Sequence, residues 1–186
     1  MMSERLWANG LVYVLCLAVA CLTTGCGLTT IDVEVRTSTV VRGASPLEQI
    51  IYDMDFGGFS NLDLTDSSAL ANQGVDEDDI HSAILTELSL EVTEPSSGQD
   101  LAFMESVQFT AKAGGVEQGL VARGGSFEAG ESLVELETTG LELKPYLVAE
   151  SMDIITDVSG RLPPQDTTIE AVAVFEVEVN LRGLRN

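Results

Sequence analysis

Apolar and polar residues alternate along most of the chain from Thr30 onward, which is the pattern of half-buried β-strands. The first such stretch, Thr30–Val41, has apolar residues on one face and charged residues on the other at its start. The longest is Thr167–Leu181, where Val172 and Val174 also make the polar face partly apolar. A strand with apolar residues on both faces is typical of a sheet centre, so we expect this strand to be central.

Shorter stretches of the same kind predict further strands. In the stretch Ala83–Thr93, Ile84, Leu88, Leu90 and Val92 are expected to face inward. A bulge is expected near Met104-Glu105, within the predicted strand Leu101–Ala113. The remaining predicted strands are Phe59–Thr65, Leu101–Ala113, Gln118–Arg123, Ser132–Glu137 and Ser151–Gly160. Seven to nine strands separated by turns rich in Gly, Pro, Asp and Ser indicate an all-β fold, an antiparallel β-sandwich (immunoglobulin-like), over a single domain of residues 31–186. A closed barrel is the alternative.

One helix is predicted within this domain, over Ser45–Met54. Ser45-Pro46-Leu47-Glu48 has the form of a capping box, and apolar residues follow at helical spacing up to Met54. We expect this helix to pack across an open end of the sheet core. A brief helical stretch is expected at Ala69–Asn72, and a turn or a single helical turn at Tyr146–Ala149.

The N-terminus carries an uncharged run, Leu11–Leu22, behind a weakly positive start. A helix of that length covers roughly 18 Å, whereas the hydrocarbon core of a bilayer is about 30 Å thick. The pattern therefore predicts a signal peptide over residues 1–25, with a helical apolar core. The alternative, a transmembrane helix, would have to extend through Thr23–Leu28.

All three cysteines, Cys16, Cys21 and Cys26, lie in the first 26 residues. The sequence Leu22-Thr23-Thr24-Gly25-Cys26 resembles the lipobox of bacterial lipoproteins, although Thr23 stands where that motif has a Leu-like residue. The resemblance implies cleavage before Cys26, acylation of its thiol and a lipidated tether over residues 26–30. Cys21 is the competing acylation site.

The same resemblance implies a protein of the cell envelope that is held by lipid at the periplasmic or the outer face of a membrane. In enterobacterial lipoproteins Asp after the acylated cysteine favours retention in the inner membrane, so Gly27 favours the outer membrane. Two or more acyl chains hold a protein stably without any transmembrane helix.

The net charge is −21, and Arg5 and Glu4 cancel in the signal region, so the domain itself is strongly acidic. Nucleic-acid binding requires a basic surface, and this composition argues against it. It argues equally against electrostatic attraction to anionic headgroups.

Candidate chemistry is sparse. His81 is the only histidine and the domain after Cys26 has no thiol, which leaves little for a catalytic triad or a transition-metal site. Calcium is the one cofactor worth considering, and Asp76, Asp78 and Asp79, with Asp63 and Asp66 nearby, are its candidate ligands.

The sequence therefore predicts a non-enzymatic lipoprotein with a structural or protein-interaction role. The alternative is a carrier in which the sandwich and helix Ser45–Met54 enclose an apolar cavity for a lipid or similar small ligand, or a Ca²⁺-binding protein. A hydrolase that uses a pair of carboxylates is a further alternative, since such a pair cannot be recognised from spacing alone.

Overall fold

The computed structural model of the chain describes residues 28–43, 49–53, 56–95, 98–149 and 152–180. The predicted signal peptide, Cys21, Cys26 and the N-terminal part of the predicted helix Ser45–Met54 lie outside these residues. The described strands are β1 (Leu28–Val41), β2 (Gln49–Asp53), β3 (Ile80–Glu94), β4 (Met104–Ala113), β5 (Gly119–Gly125), β6 (Leu133–Glu135), β7 (Glu137–Thr138), β8 (Met152–Arg161) and β9 (Thr167–Asn180). The described helices are α1 (Ser68–Ala71), α2 (Lys144–Leu147) and two 3-10 turns, Gly57–Phe59 and Glu77–Asp79.

These strands form two antiparallel sheets, and the expected all-β sandwich is confirmed. The first sheet has the order β1-β9-β3-β6 and the second the order β2-β8-β4-β5-β7. In immunoglobulin domains the last strand lies at a sheet edge, whereas here the last of the described strands, β9, lies between β1 and β3. Strand β1 begins at Leu28, within the range of the predicted tether, and Leu28 pairs with Asn180.

Strand β9 is an interior strand of the first sheet, as its sequence predicts. It pairs along its whole length with β1 and along most of it with β3. Val172 and Val174 on its outer face are half-buried. On its inner face every second residue is buried between the two sheets, namely Thr167, Ile169, Ala171, Ala173, Phe175, Val177 and Val179.

A β-bulge in β3 changes which residues face the core. Leu85 lies opposite Phe175 and Glu87 lies opposite Val174, so Thr86 is an extra residue. The inserted residue shifts the alternation by one position, which buries Ala83 and Leu85 and leaves Ile84 only half-buried. The prediction that Ile84 points inward was wrong, while Leu88, Leu90 and Val92 are buried as expected.

The bulge predicted near Met104-Glu105 is confirmed. The register of β4 against β8 shifts between Met104 and Ser106, and Val107, Phe109 and Ala111 beyond it are buried. Gly160 lies opposite this bulge with φ +153°, and an added Cβ would collide with the carbonyl oxygen of Phe103. The close approach of two backbones explains glycine at this position.

The helix predicted over Ser45–Met54 was wrong for residues 49–53. These residues form β2, an edge strand paired with residues Asp157–Arg161 of β8. Ile50, Ile51 and Tyr52 have high β-propensity, and β8 offers them a partner strand for backbone hydrogen bonds. Four apolar residues at helical spacing are too few to outweigh that pairing.

The strand predicted over Phe59–Thr65 was also wrong, because this segment closes one side of the sandwich as a 3-10 turn and loop. Leu62 makes only an isolated bridge, to Met152. Phe59 is buried with Phe56 and Phe109, at ring-centroid distances of 5.8–6.2 Å. Contacts between aromatic rings therefore hold this segment against the core, and pairing with a neighbouring strand contributes little.

The connections after this segment follow their local sequence. Helix α1 begins after Ser67, whose hydroxyl accepts a hydrogen bond from the amide of Leu70 and so caps the helix. The predicted strand Ser132–Glu137 divides at Leu136, so that β6 joins the first sheet and β7 the second. Strands β5 and β8 and the single turn of α2 lie close to their predicted positions.

One buried polar group suggests a direct test of the packing. Thr156 is 2% exposed in the core and its hydroxyl has no hydrogen-bond partner among the described residues. We expect Thr156→Val to raise the free energy of unfolding by about 1 kcal/mol, because an unpaired buried hydroxyl is replaced by a methyl group of similar size. Chemical denaturation measures this change.

Thr167 is the matched control, since it is equally buried but its hydroxyl is paired. That hydroxyl donates to the carbonyl of Gln165 (2.9 Å) and accepts from Nε2 of Gln99 (2.8 Å). Thr167→Val should lower the free energy of unfolding by about 1–3 kcal/mol. Equal effects of the two substitutions would contradict the packing described for Thr156.

Candidate interaction surface

The outer face of the first sheet is strongly acidic. The register places carboxylates from all four strands on it, with Arg36 as the one basic residue in the paired rows. We call this surface the acidic face and define it by Asp32, Glu34, Glu87, Glu91, Glu94, Glu135, Glu170, Glu176 and Glu178. By contrast, the outer face of the second sheet mixes both signs of charge, with Lys112, Arg123, Arg161, Asp153, Asp157 and Glu137.

Two pairs of like charges lie directly opposite each other on the acidic face. Asp32 is opposite Glu176 on β9, and Glu91 is opposite Glu170. Like charges at directly opposed positions of antiparallel strands destabilise the sheet. Folding stability therefore does not account for this arrangement of carboxylates.

Arg36 compensates part of this charge. Its Nε lies 2.6 Å from Oε1 of Glu34, and its Nη1 lies 3.2 Å from Oε1 of Glu170. The hydrogen bond and charge of Glu34, followed by those of Glu170, raise the pKa of the Arg36 guanidinium. These ion pairs are exposed, so each adds little to stability.

A groove of about 420 Å³ crosses the acidic face next to β6. Val172 and Val174 form part of its lining, together with Leu133, while Glu87 and Glu135 supply carboxylates. An apolar surface bordered by carboxylates suits the side chain of Lys or Arg, whose stem is aliphatic and whose head is cationic.

A second, larger groove of about 810 Å³ lies beside β4 and β5 and reaches β6 and β7. Most of the side chains around it are polar, and Arg123 pairs there with Glu137 at 3.0 Å. The hydrogen bond and charge of Arg123 lower the pKa of Glu137. The predicted carrier cavity has helix Ser45–Met54 as one wall. Residues 49–53 form β2 instead, residues 45–48 lie outside the described residues, and the carrier alternative stays a prediction.

The candidate calcium ligands Asp76, Asp78 and Asp79 lie at one 3-10 turn, and Asp63 and Asp66 lie in the segment before α1. Asp76 and Asp79 lie at opposite ends of a 3-10 turn, where the amide of Asp76 donates to Oδ2 of Asp79 (3.2 Å), and Asp63 accepts from Thr65. In the ranges that the structure describes, no three His, Cys, Asp or Glu residues are grouped so as to hold a metal ion. His81 is exposed at the start of β3, beside a register shift.

Glu142 is a structural carboxylate that the sequence did not indicate. It accepts hydrogen bonds from the hydroxyl of Ser82 (2.6 Å) and from the amides of Ala83 and Lys144 (2.9 Å each). Burial raises its pKa, but these hydrogen bonds outweigh burial and the net direction is downward. Glu142 therefore fastens the loop before α2 to the start of β3, across a sequence distance that no local pattern reveals.

Comparison with known proteins gives no family for the chain. No family model matches it, and the search of curated proteins found no significant match. Among the helices of the described residues, none has the length and apolar composition needed to cross a membrane.

The like-charge pairs on the acidic face lead to a prediction about stability. We expect Glu176→Gln to raise the free energy of unfolding by about 0.2–1 kcal/mol, because it removes the repulsion between Glu176 and Asp32. Thermal and denaturant unfolding at low ionic strength measure the change.

Glu178→Gln is the control, since Glu178 lies on the same strand and face but opposite Thr30 and Ser82. It should have a smaller effect, and the difference between the two variants should shrink at high salt, where exposed charges are screened. A Glu176→Gln variant no more stable than Glu178→Gln would contradict the repulsion described here.

Proposed function

We propose that this chain is a lipid-anchored protein of the bacterial cell envelope whose β-sandwich is a non-enzymatic protein-interaction module. The observation that carries the interaction role is the acidic face. Carboxylates are concentrated there at a cost to folding stability, while the second sheet carries both signs of charge. Charges that oppose folding and are gathered on one exposed surface are more readily explained by binding than by folding.

The anchor half of the proposal rests on the resemblance of residues 22–26 to a lipobox. Leu28 is the first residue of β1 and lies two positions after Cys26, so an acyl group on that thiol would hold the first sheet directly at the membrane surface. Anionic headgroups repel carboxylates, so the acidic face would point away from the bilayer. In that orientation it is presented to other proteins of the envelope.

The chemistry of the face defines the partner in general terms. A basic protein surface would neutralise its carboxylates, and a Lys or Arg side chain would fit the groove next to β6, with its stem against Val172 and Val174. Charge complementarity of this kind speeds association and selects partners more than it adds affinity.

Cells that express the wild-type chain or its Cys26→Ser variant provide the test. We expect the wild type to incorporate labelled palmitate, to fractionate with membranes and to give a cross-linked product with a second, different protein. Cys26→Ser should lose the label, leave the membrane fraction and lose most of that product, because the acyl group and the location it imposes are gone.

Cys21→Ser is the matched control and should keep the label and the membrane location. Labelling that survives in Cys26→Ser but is lost in Cys21→Ser would move the anchor to Cys21. Wild-type protein that carries no label in either fraction would contradict the anchor, and labelled protein that cross-links to no other protein would contradict the interaction role.

A further inference from the structure

The chain passes from one sheet to the other at Leu136, and a groove opens where it does so. Strand β6, before Leu136, pairs with β3 in the first sheet, and β7, after it, pairs with β5 in the second. Beyond the pair Arg123–Glu137, the register of β7 against β5 would bring Glu135 beside β5, but Glu135 lies in β6. The two strands separate there, and the larger groove, of about 810 Å³, is lined by the end of β5 and by all of β6.

The hydrogen bonds between β3 and β6 show which backbone groups of β6 point away from β3. Bonds of 2.8 Å lie on either side of β6, from the amide of Val92 to the carbonyl of Ser132 and from the amide of Leu136 to the carbonyl of Leu88. In an antiparallel pair only every second residue bonds to the neighbouring strand, so within β6 it is Val134 that bonds to β3. The N–H and C=O groups of Leu133 and Glu135 therefore point to the opposite side.

The edge of β6 opens into this groove. Leu133 and Glu135, whose side chains lie on the outer face, line the groove together with Val134, whose side chain packs against the core. Side chains of both faces line one groove where that groove runs along the edge of the strand. Within the ranges that the structure describes, β3 is the only strand paired with β6, so the outward N–H and C=O groups face the groove without a partner strand.

The lining of the groove has a charged part and an apolar part. The charged part holds the carboxylates of Glu131, Glu135 and Glu137, and the guanidinium of Arg123 that pairs with Glu137 at 3.0 Å. The apolar part consists of side chains that lie in or against the core, namely Val107, Phe127, Val134 and Leu136. Successive side chains of an extended segment point to opposite faces, so a segment that alternates basic and apolar residues complements both parts.

We infer that the edge of β6 binds an extended segment of another protein, antiparallel to β6, in which basic and apolar residues alternate. This inference rests on the proposed interaction role and names the kind of segment that the partner supplies. The segment becomes an added strand of the first sheet. Its basic side chains lie opposite Leu133 and Glu135, and its apolar side chains lie beside Val134 on the side of the core. In strand addition, main-chain hydrogen bonds give affinity and the alternating side chains give specificity.

The direction of the backbone groups determines which amides of the partner segment matter. In an antiparallel pair, the residues directly opposite Leu133 and Glu135 exchange both backbone hydrogen bonds with them and carry their side chains on the same face. These are the basic residues of the segment. The amides of the apolar residues point away from β6. Attraction between charges alone requires no particular amide, so the two kinds of binding can be told apart.

Synthetic peptides test this pairing without any change to the protein. The probe is a fluorescent peptide of alternating Lys and Val with blocked ends, and anisotropy with the full-length protein in detergent at about 0.15 M salt gives the dissociation constant. N-methylation of the Lys amides should raise that constant about tenfold or more, because it removes the donors that face β6. N-methylation of the Val amides should raise it less than about threefold, and a peptide of alternating Glu and Val should not bind.

Variants of β6 test the same pairing from the side of the protein. Leu133→Pro removes an N–H that points to the groove and leaves the bonds to β3 intact, and Pro is tolerated at such positions of edge strands. Leu133→Ala keeps the amide and is the matched control. The dissociation constant of Leu133→Pro should exceed that of Leu133→Ala about tenfold or more. A circular dichroism spectrum and melting temperature show whether each variant is folded, and the methylated peptides remain decisive if Leu133→Pro is not.

The contribution of charge is measured separately. Glu135→Gln should raise the dissociation constant of the Lys and Val peptide about two- to fivefold, because it removes a carboxylate opposite a Lys side chain at an exposed position. Glu117→Gln makes the same change on an exposed loop outside the groove and should leave the constant unchanged. Equal effects of the two substitutions would overturn the placement of the segment beside Glu135.

Three further results would overturn the inference: a wild-type protein that binds none of the peptides, equal effects of methylating the Lys and the Val amides, or a wild-type dimer that Leu133→Pro dissociates. In cells, Leu133→Pro should keep the palmitate label and the membrane location but lose the cross-linked product. A product that survives in Leu133→Pro would overturn strand addition at β6 and leave the proposed function intact. Peptide binding by a wild-type chain that gives no product in cells would contradict the proposed function and support the binding edge.

Discussion

Strand β9 has one face in the core between the sheets and the other on the outer surface. The positions of its neighbouring strands depend on which residues lie on which face. Its inner residues are buried against the second sheet, while its outer residues carry carboxylates and two half-buried valines. Strands β1 and β3 each pair with β9, one on either side, so the position of β9 determines the register of both. Because the side-chain period of a strand is two, a slip of one residue would move the whole apolar row to the solvent.

The same constraint creates the acidic face. Once Phe175 and its neighbours are buried, Glu170, Glu176 and Glu178 must lie outside. The flanking strands add carboxylates in the same rows, and two of these directly oppose glutamates of β9. The free energy gained by burying the apolar inner residues of β9 exceeds the free-energy cost of this repulsion. Register therefore fixes the face on which these positions lie, but it does not require carboxylates there, and the opposed carboxylates carry a stability cost.

Local sequence predicted much of the fold but little of the surface. Val107, Phe109 and Ala111 alternate with polar residues, and that alternation was sufficient to find β4 and its inner face. Residues 49–53 were misassigned because their pairing with β8 involves residues more than a hundred positions later, which no local pattern shows. Ile84 was placed on the wrong face because Thr86 forms a bulge, and its sequence gives no signal of one.

The candidate surface depends on strand order, which the sequence does not contain. The alternation of β1, β3 and β9 indicated that each has a polar face, but their adjacency puts the three faces on one surface. The calcium candidates Asp76, Asp78 and Asp79 are neighbours in sequence at one short 3-10 turn, and among the described residues no three His, Cys, Asp or Glu residues are grouped so as to hold a metal ion. Calcium binding there stays a prediction.

The central functional claim is that the acidic face is covered by a partner in the envelope. Carboxyl footprinting by carbodiimide coupling and mass spectrometry measures this directly, on native membranes and on the purified protein. The account predicts that Glu170, Glu176 and Glu178 react less on membranes, while the exposed loop residues Glu117 and Glu128 react equally in both samples. Equal reactivity of the acidic face in the two samples would contradict it.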